Sequence, residues 1–294
     1  MGYVGRFAPS PTGPLHEGSI VAAVASFLHA RQAGGEWLVR IEDIDPPREV
    51  PGAADDILRT LERLGLEWDR KVLYQSSRLP EYRDTAERLL ASGAAFRCAC
   101  SRTAIRLSNE AGPARYPGTC RNRQLPATGT AVRMLARDPT LIAFEDGLQG
   151  PQKTRLDSTM GDYVILRRDR LPAYHLAVVI DDALQGVTDI VRGTDLLDST
   201  PAHLHLQQAL SLPSPVYWHL PVVVNAQGQK LSKQTGAAPV GSDASAVAIK
   251  ALARLGLEVP EKARGEPPRV LWRWAEAVWQ VQSLRGKRVL GTQH

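Results

Sequence analysis

The sequence predicts an α/β fold built on a parallel sheet, and three observations carry that expectation. A strand-like stretch at Val4–Ala8 is followed by a loop, a helix-periodic segment and a second strand-like run ending at Ile41. Strand, loop, helix, strand in that order is the βαβ unit, whose crossover leaves its two strands parallel. Strand-like and helical segments keep alternating downstream. The chain has 294 residues and 43% hydrophobic content, enough to bury a sizeable core in one large domain or two modest ones.

The elements follow in order. Ile20, Val21, Val24, Phe27 and Leu28 recur at helical spacing across Gly18–Gln32, and Gly34-Gly35 provides a C-terminal stop. Glu36–Ile41 reads as the second strand. Helices are expected over 51–65, with Pro51 near the start, and over 78–92. Residues 94–128 look irregular and hold all three cysteines. From 130 to 192 short strand-like runs alternate with turns, AYHLAVVI (173–180) and VTDIVRG (187–193) being the clearest. A helix is expected over 195–211. HLPVVVNAQGQKLSKQ (219–234) reads as strand, turn and polar loop, and helices follow near 243–255 and 267–283.

Composition bounds the function. No 18-residue apolar run is present, and MGYVGRFAPS is not a secretory leader, so a cytoplasmic protein with no membrane partner is expected. Three clustered cysteines suit a metal site better than a disulfide framework. The net charge is +5. Residues 248–294 alone carry nine Lys/Arg against four acids. Two readings stand for that excess: a solvated helical surface or an RNA-facing patch.

Chemistry concentrates at RFAPSPTGPLHEGS, residues 6–19. A loop after the first parallel strand lies at the carboxyl end of the sheet, where α/β folds bind ligands. The following helix offers free N–H groups and a positive dipole end. Glycines let backbone approach a phosphate, prolines stiffen the loop, and His16 can donate to phosphate oxygens. No GxxxxGK[ST] pattern is present, so a Pro-rich turn with an incidental histidine is the competing reading. KLSKQ at 230–234 supplies two lysines that can meet charge developing on a phosphate.

HEGS and KLSKQ together resemble the HIGH and KMSKS elements of class I aminoacyl-tRNA synthetases. RIEDIDPPREVPGAADDILRTLERLGLEWD (40–69) and AYHLAVVIDDALQGVTDIVRGTDLL (173–197) extend the resemblance to the glutamyl-tRNA synthetase catalytic domain over most of residues 3–236. Sixty residues follow Gln234, too few for an anticodon-binding domain. That shortness and the cysteine pattern resemble the glutamyl-Q tRNA(Asp) synthetase family. The resemblance implies a Rossmann-like class I synthetase domain with an inserted zinc-containing subdomain and a short helical C-terminal region. The implied boundaries are 1–93 and 173–236 for the two Rossmann halves, 94–172 for the insert and 237–294 for the C-terminal region. It also implies a monomeric enzyme that activates L-glutamate with ATP and Mg²⁺, without tRNA, and transfers it to the queuosine base in the anticodon of tRNA(Asp).

Site residues carry over position by position. The resemblance assigns glutamate to Arg6, Phe7, Ala8, Pro9, Ser10, Glu42, Tyr174 and Arg192: cations for the carboxylates, an acid for the ammonium. It assigns ATP to His16, Gly18, Ser19 and Lys233, with His16, Lys230 and Lys233 stabilising the transition state. Glu17, acidic beside a phosphate site, is expected to point away. Cys98, Cys100, Tyr116 and Cys120 match the family's Cys-Cys-Tyr-Cys zinc site, and Arg97, Arg102, Arg115, Arg121 and Arg123 can offset its negative charge. Two alternatives stay open: a shortened synthetase charging a tRNA 3′ end, and an inactive zinc-containing RNA-binding protein.

Overall fold

The computed structural model describes residues 2–107, 115–225, 227–231 and 239–291. Strand β1 (Val4–Phe7) leads through the 8–16 loop into helix α1 (Glu17–Gln32), and β2 (Glu36–Ile41) returns parallel to β1, pairing Val4 with Glu36 and Phe7 with Val39. The α1–β2 turn is dictated by its glycines. Gly34 takes φ +64°, and a Cβ on Gly35 would collide with the Tyr3 carbonyl. Helix α2 (Ala53–Arg63), strand β3 (Leu73–Tyr74, parallel to β2) and helix α3 (Leu79–Ala91) complete this half.

Next come β4 (Ala95–Cys98), α4 (Arg102–Leu107), β5 (Ala131–Met134), β6 (Leu141–Asp146), β7 (Gly150–Arg155), α5 (Leu156–Thr159) and β8 (Val164–Leu166). Helix α6 (Tyr174–Leu184), strand β9 (Asp189–Gly193), helix α7 (Thr200–Ala209), strands β10 (Val216–Leu220) and β11 (Val222–Val223), helices α8 (Ala244–Arg254) and α9 (Pro268–Val278), and strand β12 (Val289–Leu290) follow.

β9 and β10 pair in parallel, and β6 joins β10 in parallel at Asp146–Tyr217. Thr188 stitches the two halves together: its N–H donates to the Val4 carbonyl (2.9 Å) and its hydroxyl accepts from the Val4 N–H (2.9 Å). β1 and β9 therefore lie side by side at the centre of the fold. Along β2, Trp37, Val39 and Ile41 enter the core shared by α1, α2, α8 and α9, while Leu38 enters the core under α3, α6 and α7. Burial on both faces explains the apolar Trp37–Val39 stretch of this strand.

Two expectations are corrected. AYHLAVVI is not a strand: Tyr174–Leu184 is helix α6. Its apolar run fits either state by itself, but the element continues through Asp181-Asp182 for 11 residues, longer than most strands. Packing of Leu176, Ala177 and Val179 against the second core overrides the β preference of its valines. The 94–172 insert is not separate throughout, because β6 and its antiparallel partner β7 extend the β9–β10 sheet. The C-terminal helices are joined to the rest of the fold. α8 and α9 close the core over α1, Trp272 donates to the Leu64 carbonyl (2.7 Å), and β12 pairs with β11. Among the described residues, no helix is long and apolar enough to cross a membrane.

Candidate active site

The 8–16 loop has little regular structure, yet it is tied down along its length. Glu42 N–H donates to the Pro9 carbonyl (3.0 Å), Val50 N–H to Pro11 (3.0 Å) and Val240 N–H to Leu15 (3.2 Å). The loop borders a cleft of about 530 Å³ at the carboxyl ends of β1 and β9. Arg6, Phe7, Ala8, Pro9, Ser10, His16, Gly18, Ser19, Glu42, Tyr174, Arg192 and Lys230 all line it. The sequence assigned these residues from positions up to 224 apart, and one cavity collects them. Lys233 lies outside the described residues.

Two arginines reach the cleft in different electrostatic states. Arg6 is buried, and its Nε donates to Asp182 (3.1 Å), which also accepts from Arg40 (2.7 Å). Arg40 in turn meets Glu42 (3.3 Å). Two guanidinium groups and two carboxylates thus balance in charge. Burial works against ionised Asp182, but Arg40 and Arg6 hold its carboxyl below the usual range. For Glu42, burial prevails over the pull of Arg40 and Arg6, and its carboxyl is pushed up.

Arg192 has no acid among its hydrogen-bond partners. Its five N–H groups meet His219 Nε2 (3.0 Å), Thr200 Oγ1 (2.8 Å), the Leu196 carbonyl (3.2 Å), His203 Nδ1 (3.2 Å) and the Tyr174 hydroxyl (3.4 Å). All five are neutral acceptors. His219 is locked in position because its Nδ1 faces Asp146 Oδ2 at 2.5 Å, which leaves Nε2 to accept from Arg192. Burial lowers the pKa of His219 and takes His203 well below the ordinary imidazole value, so the shell stays uncharged. The result is a buried cation facing the cleft with no acid in direct contact among the described residues.

At the other end, His16 caps α1. Its Nδ1 accepts from the Ser19 N–H (3.2 Å) and its Nε2 lies 3.2 Å from Ser19 Oγ. Gly18 permits this: a Cβ there would stand 3.2 Å from the imidazole Cε1. Glu17 turns the other way. Burial disfavours its charge, but Arg254 (2.5 Å) and Lys250 (2.9 Å) hold it ionised, below its ordinary pKa. Glu17 is not among the cleft-lining residues, as the sequence reading expects. Lys230 is paired with Asp195 (2.5 Å), and a side chain on Gly193 would strike that same carboxylate.

Cys98, Cys100 and Cys120 bring their sulfurs within 4.8 Å of one another. Cys100 Sγ lies 3.6 Å from Cys120 Sγ and 3.9 Å from the Tyr116 hydroxyl. Sulfurs on a tetrahedral zinc at ~2.3 Å stand roughly 3.8 Å apart, so the donor set fits that ion. Burial pushes the Tyr116 phenol up and also raises Cys100. Against burial, hydrogen bonding from Tyr116 and the Ala99 backbone draws Cys120 down to about 7. Two of the five arginines expected to offset the cluster also carry ion pairs of their own. Arg97 pairs with Glu87 (2.7 Å) and Arg121 with Asp162 (2.7 Å), because each finds an acid within reach. Arg133 instead stacks on the Tyr116 ring, 4.3 Å from its centroid.

Sequence reasoning missed Asp182, Arg40, Asp146, His219, His203 and Asp195. The Asp181-Asp182 pair inside an apolar run was a usable signal, since paired acids in a helix core require partners. Asp181 takes Tyr82 (2.6 Å), Arg78 (2.7 Å) and Gln75 (2.9 Å), while Asp182 takes the strand arginines. Nothing in the sequence marked the Asp146–His219 pairing, which spans 73 positions.

The family "tRNA synthetases class I (E and Q), catalytic domain" matches residues 3–263. A curated relative from Aromatoleum aromaticum, "Glutamyl-Q tRNA(Asp) synthetase", is 55% identical over 282 residues, covering 95% of this chain and 89% of that protein. The chain belongs to the glutamyl-Q tRNA(Asp) synthetase family. It is thus a ligase of the class I aminoacyl-tRNA synthetase group. Among solved structures, a glutamate tRNA ligase from Elizabethkingia meningosepticum in complex with its amino acid matches at 29% identity and TM-score 0.70, over 80% of this chain. This member of the family spans only about half of that ligase's length, 53%. Glutamate-tRNA synthetase from Elizabethkingia anophelis shares the fold over the whole chain at TM-score 0.82, with 23% identity.

Proposed function

We propose that this protein joins L-glutamate to ATP, forming glutamyl-adenylate without tRNA, and then transfers the glutamyl group to the queuosine base in the tRNA(Asp) anticodon. The observation that carries the first step is the charge layout of the cleft. Glutamate brings two carboxylates and one ammonium. Arg192, with no acidic partner, suits one carboxylate. The terminal nitrogens of Arg6 have no hydrogen bond to described residues and suit the other. Glu42 suits the ammonium, which would favour its ionised form against the push of burial. Phe7 to Ser10 and Tyr174 complete that end. His16, Gly18 and Ser19 at the start of α1 suit the ATP phosphates, with Lys230 and Lys233 supplying charge and Mg²⁺ accompanying the nucleotide.

In the reaction an oxygen of the glutamate α-carboxylate attacks the α-phosphorus. The bond to the bridging oxygen breaks and pyrophosphate leaves with its electron pair. No protein nucleophile takes part, so catalysis is positioning plus charge stabilisation. A nucleophilic group of the modified base then attacks the glutamyl carbonyl and AMP leaves. The second step rests on the relatives' names. The Cys98–Cys100–Tyr116–Cys120 set would hold one structural Zn²⁺, organising the 94–128 segment without touching the chemistry.

Glutamate-dependent ATP–pyrophosphate exchange in the absence of tRNA tests the first step, and its absence in folded, zinc-loaded protein refutes it. A tRNA(Asp) shortened by its 3′-terminal adenosine tests the second. Charging of the base survives the truncation, whereas 3′-end charging is abolished.

A further inference from the structure

The structure divides the C-terminal positive charge into two kinds. Lys250 and Arg254 are committed to Glu17, Arg264 to Glu261 and Arg269 to Glu67. Lys262, Arg273, Arg285, Lys287 and Arg288 are exposed, and none has an acidic partner among the described residues. The last three are set apart because they fall within four consecutive positions.

The backbone beneath them is fixed. Gly286 N–H donates to the Leu148 carbonyl (2.9 Å), and Gln149 Nε2 bridges the Lys287 and His219 carbonyls at 2.9 Å each. The Arg288 carbonyl accepts from Val222 N–H (3.0 Å) and from the Thr194 hydroxyl (3.1 Å). The next two residues form β12, paired with β11. Val222, Val223, Gly193 and Asp195 all line the cleft. Three cations therefore project from a strap fastened to the wall of the cleft itself.

Cations this close in sequence repel one another, and a surface shaped for solubility intersperses the two signs. A rigidly mounted, uncompensated cluster beside a cleft instead matches a polyanion whose charges repeat along a strand. We propose that Arg285, Lys287 and Arg288 form the docking strap for the phosphate backbone of the RNA substrate, holding the strand while a base enters the cleft. This rests on the reading of an RNA acceptor above. Contacts of this kind set register and affinity and carry no sequence information.

The test compares parent protein with the full-length triple variant Arg285→Gln/Lys287→Gln/Arg288→Gln. None of these residues belongs to the glutamate or ATP machinery, so tRNA-independent exchange stays within about twofold, which also certifies the fold. Glutamyl transfer to queuosine-containing tRNA(Asp) should lose at least ~10-fold in kcat/KM, expressed in KM. The slope of log affinity for that tRNA against log salt should shrink by about 2–3, as expected for three lost phosphate contacts. The control pair Lys262→Gln/Arg273→Gln, on segments not fastened to the cleft wall, should leave both unchanged. Parent-like tRNA affinity and salt slope in the triple variant overturn the proposal. Should the triple variant melt early, Arg288→Gln alone is read, with an expected slope change of about 1. Failure of the parent in exchange refutes the activation chemistry, while direct tRNA binding still reads the strap.

Discussion

Arg192→Lys isolates what the guanidinium fork contributes. The substitution keeps the positive charge and removes the planar five-donor geometry. In the structure those donors meet five neutral acceptors at 2.8–3.4 Å, of which Tyr174 at 3.4 Å is the most loosely held. An incoming carboxylate would take over the NH1 donors beside Tyr174, while His219 and Thr200 keep the rest of the group in place. An ammonium has three donors and cannot both satisfy the shell and grip a carboxylate through two bonds. At ~1.5–3 kcal/mol for each charged hydrogen bond, losing two costs about 3–6 kcal/mol. That corresponds to a loss of roughly a hundred- to ten-thousand-fold in kcat/KM for glutamate. Exchange kinetics at saturating ATP measure it, and the KM for ATP should be little changed. A glutamate kcat/KM within about threefold of the parent, in a variant that melts normally, would falsify the assignment.

Asp182→Asn should cost ~3–5 kcal/mol in urea denaturation, because it strands Arg6 and Arg40 with only Glu42 to balance them; a cost below about 1 kcal/mol contradicts the network. Acid should weaken the fold through its buried imidazoles. Burial, then Arg192, lowers His175 from 6.5 to about 4, so below pH 6.5 the unfolded chain binds a proton the folded chain excludes. Stability is full above pH 6.5 and falls as pH drops toward 4, by up to ~3 kcal/mol from His175 alone; a urea midpoint constant from pH 7 to 4.5 contradicts it. His16→Asn keeps a good helix cap while removing the imidazole, so melting should be unchanged and exchange turnover should drop at least ~10-fold; full activity would reduce His16 to a capping role. Elemental analysis should find one zinc per chain in the parent and less than half of that in Cys100→Ala, with exchange retained; equal zinc in both proteins would remove Cys100 from the ligand set.

Much of the site was legible because its motifs are local. The βαβ start, the 6–19 loop and the cysteine cluster each reside in one short stretch, where spacing and residue type speak directly. The strand Glu36–Ile41 came out at its observed limits because burial into two cores makes Trp37, Leu38, Val39 and Ile41 all apolar. Tyr174–Leu184 was misread for the same reason in reverse. A buried apolar run has no period to show, and only tertiary packing decides it. The supporting shell was invisible because it is long-range: Asp146 to His219, Arg6 to Asp182, Lys230 to Asp195. Each partner alone is an ordinary polar residue. The basic C-terminal stretch left two readings open, and the fold separates them residue by residue into charges that are spent on Glu17, Glu67 and Glu261 and charges that are not.

The two sides of α1's first turn explain why an acid can occupy HEGS at all. A carboxylate at a helix N-terminus is favourable to the helix dipole and unfavourable to an anionic ligand at the same place. Glu17 gains the first without incurring the second because α8 supplies Arg254 and Lys250 on the face away from the cleft. The opposite face is left to His16 and Ser19, whose bonds to each other occupy the Ser19 N–H, one of the donors a phosphate oxygen would use. An anion arriving there would replace His16 as the cap and release the imidazole toward it. The same helix end can therefore be closed without ligand and open with it. The C-terminal helices matter to this arrangement because they neutralise an acid on the first turn of α1 that would otherwise oppose a phosphate.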